Sequence, residues 1–271
     1  KTSIEGNDTE VVNFVWTAAH VIDNLRSVRT VIEEGKTKSI IEFKDAQIVQ
    51  ELIEKGRKVG ELKMDAKVLR YSDSENGEDL ALLMIRKRNF VSASAEFYLK
   101  DDQIIPIGTE LFHVGSLLGQ QGANSMTRGI MSKVGRVLSL GSSGGTVFDQ
   151  TTVTAFPGSS GGGVYMSDQN GDDSGRYVGM LVRGAGEGFN FIVPVRRMSS
   201  WAQKVKVEWA LDSSIAAPSV TELLEQPIED AGFTAKIDKE ENNKSLGIKF
   251  MILEKIYNNK SNLEIVPYLE H

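Results

Sequence analysis

Short runs of apolar and β-branched residues recur along the first 195 residues, and glycine, asparagine, aspartate or serine separates most of them. Short strands joined by such turn residues are typical of antiparallel sandwiches and barrels. The pattern therefore predicts an all-β protein of antiparallel strands. The runs are Val11–Trp16, Ser39–Phe43, Ala66–Tyr71, Leu80–Ile85, Leu111–Gly115, Gly129–Leu138, Thr151–Ala155, Tyr177–Val182 and Phe189–Val195.

Three segments have helical rather than strand-like spacing. In Asp45–Lys58 the apolar residues recur at about one helical turn, Asp45 can cap the N-terminus, and a glycine can end the helix. We predict a helix there, inserted between strands. Residues 195–210 have the pattern of a closing amphipathic helix, and Thr221–Asp230 predicts another short one.

The composition changes after residue 211, where the chain becomes small, polar and then charge-rich. We expect residues 212–268 to form a C-terminal extension, with a connector at Lys236–Lys244 and a strand-like segment at Leu246–Tyr257. The last three residues, 269–271, look like the remnant of an expression tag. Because the chain starts at Lys1 rather than at methionine, we also expect that a preceding part was removed.

Composition excludes several kinds of site. The 271 residues include no cysteine, which excludes disulfides, a cysteine-ligated zinc and a thiol nucleophile. With only three histidines, a histidine-rich metal site is excluded too, and we predict neither metal nor cofactor. A net charge of −6 argues against nucleic-acid partners. No run approaches the roughly 20 apolar residues of a membrane span.

Two histidines and one aspartate are candidates for proton transfer. His20 ends an apolar run after small residues, and a packed core histidine is as good a reading of that segment alone. His113 lies in mid-strand, where a core role is favoured. Asp79 opens the apolar run Leu80–Ile85, either as a strand-end cap or as a buried partner for an imidazole, since an unpaired buried carboxylate is costly.

The motif Gly-Ser-Ser-Gly-Gly occurs twice, at 141–145 and at 158–162. Such glycines permit positive φ and close backbone approach, and consecutive N–H groups in the turn can point at one developing oxyanion. Taken alone, either copy can equally be a flexible turn. With His20 and Asp79 upstream, the second copy completes the order His, Asp, Ser on an all-β chain.

From Val11 to Trp201 the chain resembles the serine proteases of the trypsin/chymotrypsin fold, most of all the HtrA (high-temperature-requirement) type. The resemblance rests on short motifs that the family shares. They are Thr17-Ala-Ala-His20, Asp79-Leu-Ala-Leu-Leu83, Pro157-Gly-Ser-Ser-Gly-Gly162, Tyr177–Gly184 and Asn190-Phe-Ile-Val-Pro194.

The resemblance implies two six-stranded antiparallel β-barrels, at about 1–95 and 100–200, followed by a C-terminal helix and a short tail. Residues 1–211 would be the protease domain. HtrA proteins usually carry a PDZ domain after the protease, and the tail of this chain is too short for a complete one. Only Ser245–Phe250 resembles part of a PDZ domain.

The resemblance also implies the site residues of a serine endopeptidase that works through an acyl-enzyme. His20, Asp79 and Ser160 would be catalytic, and Gly158, Ser159 and Ser160 would form the oxyanion hole. The substrate pocket would be lined by Thr154, Ala155, Phe156, Val182, Arg183, Gly184 and Asn190.

Three features of those residues bear on activity and specificity. Thr154 stands where trypsin has its pocket carboxylate, so a small or medium apolar residue at the cut is expected. Arg183 either biases neighbouring subsites toward acidic substrates or points to solvent. Ser159 carries no charge with which to bind a newly cut N-terminus, so activity is expected to depend on loops such as Leu117–Met126 instead.

Other readings stay open at this point. The rivals are a catalytically silent protease-fold binding module, a self-processing viral or phage-type protease, and an esterase using the same residues. The expected partner is a polypeptide substrate, and a homo-oligomer is not decided by the sequence. An HtrA-like protein would be extracytoplasmic, periplasmic or virion-associated. Ser142 and Ser143 of the first motif are expected to lie in a loop on the rim of the second barrel.

Overall fold

The computed structural model describes residues 2–4, 10–33, 36–86, 91, 93–100, 104–139, 145–184, 186–229, 249–250 and 267–268. Strands dominate, as the sequence predicts, and every pair of neighbouring strands in the sheets is antiparallel. The chain forms an N-terminal half and a C-terminal half, each built of β-strands, and a helix follows the second half.

The first half is a five-stranded sheet in the order β1-β2-β7-β6-β5, accompanied by the separate hairpin β3–β4. A six-stranded ring was expected here, but the hairpin pairs only within itself among the described residues. It joins the core of this half through Leu25 and Phe43 at its base. The strands are β1 (Thr2–Ile4), β2 (Glu10–Thr17), β3 (Arg26–Glu33), β4 (Lys36–Phe43), β5 (Ala46–Glu54), β6 (Arg57–Ser72) and β7 (Leu80–Arg86).

The helix predicted at Asp45–Lys58 is wrong, because this segment is the β5–β6 hairpin. Lys55 and Gly56 both have positive φ, 49° and 75°, which suits a tight hairpin turn. Ala46 is buried and Ile48 is half-buried, with exposed residues between and after them, so burial follows a period of two. Of the other apolar residues taken for a helical face, Val49, Leu52 and Ile53 are all exposed.

The second half is a closed six-stranded barrel in the order β10-β13-β12-β11-β8-β9, as predicted. Apolar side chains from its strands, Leu111, Met131, Val164 and Ile192 among them, fill the inside and are fully buried or nearly so. The strands are β8 (Glu110–Leu117), β9 (Gly122–Ser139), β10 (Gly145–Thr151), β11 (Gly163–Met166), β12 (Tyr177–Gly184) and β13 (Asn190–Pro194).

The predicted closing helix is present as α1 (Val195–Lys204), followed by a single 3₁₀ turn at Glu208–Ala210. Val195, Met198 and Trp201 lie about one turn apart and are buried, so α1 presents one apolar stripe to the core. Trp201 packs edge-on against Trp16 of β2, with 5.9 Å between ring centroids. This contact joins the two halves in one hydrophobic core.

The described part of the extension returns to the first half. The short helix predicted near Thr221 is α2 (Val220–Glu225), which begins with a capping box between Ser219 and Glu222. After it, the N–H of Tyr71 in β6 donates to the Ile228 carbonyl at 2.8 Å. Glu229 forms an ion pair with Arg26. The extension therefore adds to the edge of β6 that β5 leaves uncovered.

Other parts of the extension are not described beyond two short strands, β14 (Lys249–Phe250) and β15 (Pro267–Tyr268), which pair with each other. The connector predicted at Lys236–Lys244 and the tag residues 269–271 lie outside the described residues, as do Ser142 and Ser143. The division into a protease domain at 1–211 and an extension stays a prediction.

Candidate active site

His20 follows β2 directly, in a 3₁₀ turn over Ala19–Val21. Ala18 and Ala19 are fully buried, so these small residues let the backbone turn sharply against the core. The His20 side chain is 33% exposed, which leaves one side of the ring open to solvent. His20 therefore has one side against the protein core and the other side accessible to solvent.

The Asp79 side chain, which is only 3% exposed, contacts His20 through its carboxylate. One carboxylate oxygen accepts a hydrogen bond from the His20 backbone N–H at 3.1 Å, and the ring Nδ1 lies 2.9 Å from the other oxygen. Because a carboxylate only accepts, Nδ1 carries the proton and the neutral ring keeps its lone pair at Nε2. In its neutral form the ring can therefore accept a proton only at Nε2.

Ser160 lies in the turn that joins residues 151–156 to β11. The turn is closed by hydrogen bonds from the Ser159 N–H to the Phe156 carbonyl, 2.9 Å, and from the Gly162 N–H to the Ser159 carbonyl, 3.1 Å. The Gly161 N–H donates to Leu181 of β12 at 2.8 Å, which fixes the turn on the barrel. The Ser160 hydroxyl itself donates to the Val182 carbonyl at 3.5 Å.

The Ser160 turn touches the segment that leads to His20. Gly161 has a φ of 83°, and a Cβ added there would lie 2.4 Å from Thr17 Oγ1 and 3.1 Å from the Ala18 nitrogen. Only glycine accommodates both that φ and that contact. The structure therefore brings the serine turn of the second half against the histidine segment of the first half.

Two backbone donors flank Ser159. Within the described part of the chain, neither the Gly158 N–H nor the Ser160 N–H donates to a protein acceptor. Gly158 has a φ of 97° and packs on the end of β8 and the β8–β9 loop, where a Cβ would meet the Ser116 carbonyl at 2.4 Å and the Gly119 nitrogen at 2.7 Å. In that loop the Leu118 N–H donates to the Pro157 carbonyl at 2.9 Å. The loop predicted to affect activity thus contacts the serine turn.

Ser159 is 1% exposed, and its hydroxyl accepts from the Phe156 N–H at 3.1 Å. A neutral hydroxyl therefore occupies this buried position and completes the turn locally. Nothing at this residue attracts an ammonium group.

The predicted pocket residues come from two segments that the structure places together through Asn190. Its side-chain amide donates to the Val153 carbonyl at 2.7 Å, next to Thr154, Ala155 and Phe156. A Cβ at Gly184 would lie 2.6 Å from the Asn190 amide oxygen. Buried Asn190 therefore lies between the irregular segment 153–156, which follows β10, and the end of β12 at Val182–Gly184.

Two of the predicted pocket side chains, those of Phe156 and Arg183, are not buried. Phe156 is 49% exposed. Arg183 does not point simply to solvent, since its Nη2 donates to the Ser74 carbonyl in the first half at 3.3 Å. The guanidinium crosses between the two halves beside the Asp79 segment.

His113 is a buried core residue, in line with the reading that its mid-strand position favoured. Its Nδ1 donates to the Gly163 carbonyl at 3.1 Å, and burial lowers the pKa of His113 from its ordinary value. A Cβ at Gly162 would lie 2.6 Å from the ring. The ring thus lies directly beneath the serine turn.

Sequence reasoning missed Arg197 of α1 and Asp23, which both lie near Asp79. Arg197 binds Glu78, the residue before Asp79. Burial raises the pKa of Asp23, and the charges of Asp73 and Asp79 raise it further. Nothing in the sequence distinguishes these residues from ordinary surface charges. Among the described residues, no group of acidic residues and histidines forms a metal site.

Comparison with known proteins places these residues in a family context. The model of the trypsin-like peptidase domain matches residues 5–180. None of the curated proteins compared with the chain is similar to it in sequence. No helix within the described ranges is long and apolar enough to cross a membrane.

The solved structures that are similar to this chain include three of low sequence identity. The serine endoprotease of Yersinia pestis is 19% identical, with a TM-score of 0.44, over 76% of this chain and 58% of that one. The MamO protease domain of Magnetospirillum magneticum is 17% identical, with a TM-score of 0.43, over 69% of this chain and 82% of that one. The HtrA-type protease AlgW with a decapeptide is 21% identical, with a TM-score of 0.45, over 72% of this chain and 50% of that one.

The chain therefore spans 58% of the Yersinia protein and half of AlgW. The matched range, 5–180, covers more than half of the chain and contains His20, Asp79 and Ser160. The resemblance inferred from the short motifs is confirmed, and the chain belongs to the family of trypsin-like peptidase domains.

Proposed function

We propose that the protein is a serine endopeptidase in which Ser160 is the nucleophile, His20 the base and Asp79 the group that orients the base. The observation that carries the proposal is the joint placement of these residues. The Asp79 carboxylate lies 2.9 Å from His20 Nδ1, and the turn that bears Ser160 packs on Thr17 and Ala18, just before His20.

In the proposed reaction, His20 Nε2 takes the proton of the Ser160 hydroxyl while Oγ attacks the peptide carbonyl. The imidazolium then gives that proton to the leaving amine as the C–N bond breaks, which leaves an acyl-enzyme. Water attacks the ester with the same base and releases the acid. Asp79 stays ionised throughout and stabilises the imidazolium.

The oxyanion of the tetrahedral intermediate would be bound by the backbone N–H groups of Gly158 and Ser160. Both donors lack a protein acceptor in the described structure, which supports this role. Loss of one such donor typically costs about 3 kcal/mol of transition-state stabilisation.

For specificity, we propose a small or medium apolar residue on the acyl side of the cut. Thr154 offers no carboxylate for a basic side chain, and the Asn190 amide is already engaged with the Val153 carbonyl. Gly184 leaves the approach to this region free of a side chain. The substrate would be a polypeptide, and the self-processing of a precursor is one case of the same chemistry.

A silent binding module is the second candidate, because the Ser160 hydroxyl donates to the Val182 carbonyl rather than to His20. Rotation of a serine side chain takes picoseconds to nanoseconds, so this hydrogen bond does not prevent catalysis. The two candidates differ in whether the hydroxyl is activated.

A fluorophosphonate probe separates the two. The endopeptidase incorporates one label, Ser160→Ala abolishes labelling, and Ser142→Ala in the other glycine–serine motif does not. Equal labelling of the wild type and Ser160→Ala, or none in either, would count against the proposal. Cleavage of a peptide library then reports the residue preferred at the cut, and cleavage of esters alone would favour an esterase.

A further inference from the structure

Asp79 has a backbone conformation that needs support from its surroundings. Its φ is 56°, in the left-handed region that non-glycine residues seldom occupy. The residues just before it, 73–78, form an irregular turn between β6 and β7. Residues in such conformations persist where neighbouring contacts over-determine them, and they cluster at functional sites.

Arg197 of α1 supplies such contacts. Its side chain is 12% exposed and makes three hydrogen bonds, of which two go to Glu78. Nη2 donates to the Glu78 carbonyl at 2.9 Å and Nε to the Glu78 carboxylate at 2.8 Å. Nη1 donates to the Val147 carbonyl at 2.8 Å, and the guanidinium lies 4.8 Å from the Phe148 ring centroid.

These contacts fix the peptide group that leads into Asp79. Its carbonyl oxygen belongs to Glu78 and accepts from Arg197, while its N–H belongs to Asp79 and donates to the Asp73 carbonyl at 3.3 Å. A peptide unit is planar, so anchoring both ends sets its orientation. The direction in which the Asp79 side chain leaves the backbone follows from that orientation.

The anchor also relates the two halves of the protein. Arg197 follows the second barrel and is held by Val147 and Phe148 of β10, whereas Glu78 and Asp79 belong to the first half. Arg183 of β12 makes a second contact of this kind, to the Ser74 carbonyl. The position of Asp79 is thereby tied to the half that carries Ser160.

We propose that Arg197 is a positioning residue, which holds Asp79 where its carboxylate orients His20 toward Ser160. The inference rests on the proposed endopeptidase function. Arg197 touches neither the substrate nor the reacting atoms, and it acts through the Glu78–Asp79 peptide.

The test compares Arg197→Met with Arg196→Met. Arg196 is the neighbouring residue of α1 and binds the buried Asp149 instead, with Nη1 2.7 Å from a carboxylate oxygen. Both variants lose the ion pair of a mostly buried arginine side chain, so both are expected to be less stable. Peptide hydrolysis is measured at a temperature where each variant is fully folded.

We expect Arg197→Met to lower kcat by roughly 10–100-fold with KM changed by less than about threefold, the scale of a misplacement of about 1 Å. Arg196→Met should keep kcat within about threefold. The low-field proton resonance of His20 Nδ1–H reports the His20–Asp79 hydrogen bond directly. It should shift or broaden in Arg197→Met and stay unchanged in Arg196→Met.

Arg197→Lys keeps a cation but cannot reach the carbonyls of Glu78 and Val147 together, so it keeps the test decisive if the methionine variant does not fold. A reduced kcat with an altered Nδ1 resonance supports the proposal. Wild-type values of both in a folded Arg197 variant would overturn it. A wild-type protein that neither cleaves peptides nor takes up the fluorophosphonate label contradicts the proposed function instead, and the resonance remains measurable in that case.

Discussion

Replacing Gly161 by alanine should separate the serine turn from the histidine segment. The new Cβ would lie 2.4 Å from Thr17 Oγ1, whereas ordinary contacts of a Cβ begin near 3.4 Å. Relief of the clash therefore requires a displacement of about 1.0 Å, the difference between these two distances. Thr17 ends β2 and Ala18 is fully buried, so we expect the turn to move rather than the strand.

The expected cost has two parts. The φ of 83° disfavours alanine and should lower the free energy of unfolding by about 1–2 kcal/mol. A misplacement of about 1 Å between reacting groups can lower the rate by about 10²-fold, or about 2.7 kcal/mol at 1.36 kcal/mol per tenfold. We therefore expect Gly161→Ala to lower kcat/KM for peptide hydrolysis and the rate of fluorophosphonate labelling by about 100-fold.

Gly175→Ala is the matched control. Gly175 has a φ of 71°, similar to that of Gly161, but a Cβ there meets nothing within 4 Å. It should lose the same 1–2 kcal/mol of stability and keep its activity. Thr17→Ala removes the nearest atom, so adding it to Gly161→Ala should restore much of the rate. If Gly161→Ala alone stays within threefold of the wild type, this contact does not position Ser160.

Three further outcomes are expected. Asp79→Asn should lower kcat by about 10⁴ in steady-state assays with little change in KM, and an unchanged kcat would exclude Asp79 from the mechanism. Burial lowers the pKa of His113 in the folded protein, so as the pH falls this histidine is protonated in the unfolded chain before it is protonated in the folded one. The free energy of unfolding should therefore be highest above pH 6.5 and decline as the pH falls below that value. Between pH 7 and pH 5, urea unfolding should show a smaller decline in the free energy of unfolding for His113→Phe than for the wild type. An identical decline in both proteins would show that His113 is not its origin. Glu229→Gln breaks the ion pair with Arg26 and should cost about 1–3 kcal/mol in urea unfolding without changing kcat, whereas an unchanged midpoint would show that the extension contributes no stability there.

The sequence by itself determined several strands of the second barrel and the candidate site residues. The strand expected at Thr151–Ala155 is wrong, because β10 ends at Thr151 and residues 152–156 are irregular. The runs Tyr177–Val182 and Phe189–Val195 predict β12 and β13 almost to their ends, because buried strands are continuous apolar segments bounded by turn residues. The three short motifs around His20, Asp79 and Ser160 are local in sequence. Each can therefore be recognised without knowledge of what it contacts.

Only the tertiary structure decided the period of the segment 46–58, whose apolar spacing fits a helix as well as a strand. Pairing with β6 settles it, because the segment buries residues on one face of a sheet. It likewise decided that the Ser160 hydroxyl donates to the Val182 carbonyl, and that residues 228 and 229 of the extension lie on β6.

The adjacent arginines of α1 illustrate the limit of local patterns. Arg196 and Arg197 are indistinguishable in the sequence, yet consecutive helical residues point about 100° apart, and each reaches a different partner. Arg196 binds Asp149, and Arg197 binds Glu78, which is 119 positions away in the chain. Local sequence patterns indicate which residues are buried and which form turns. Contacts between residues so far apart in the chain exist only after the two halves have packed together.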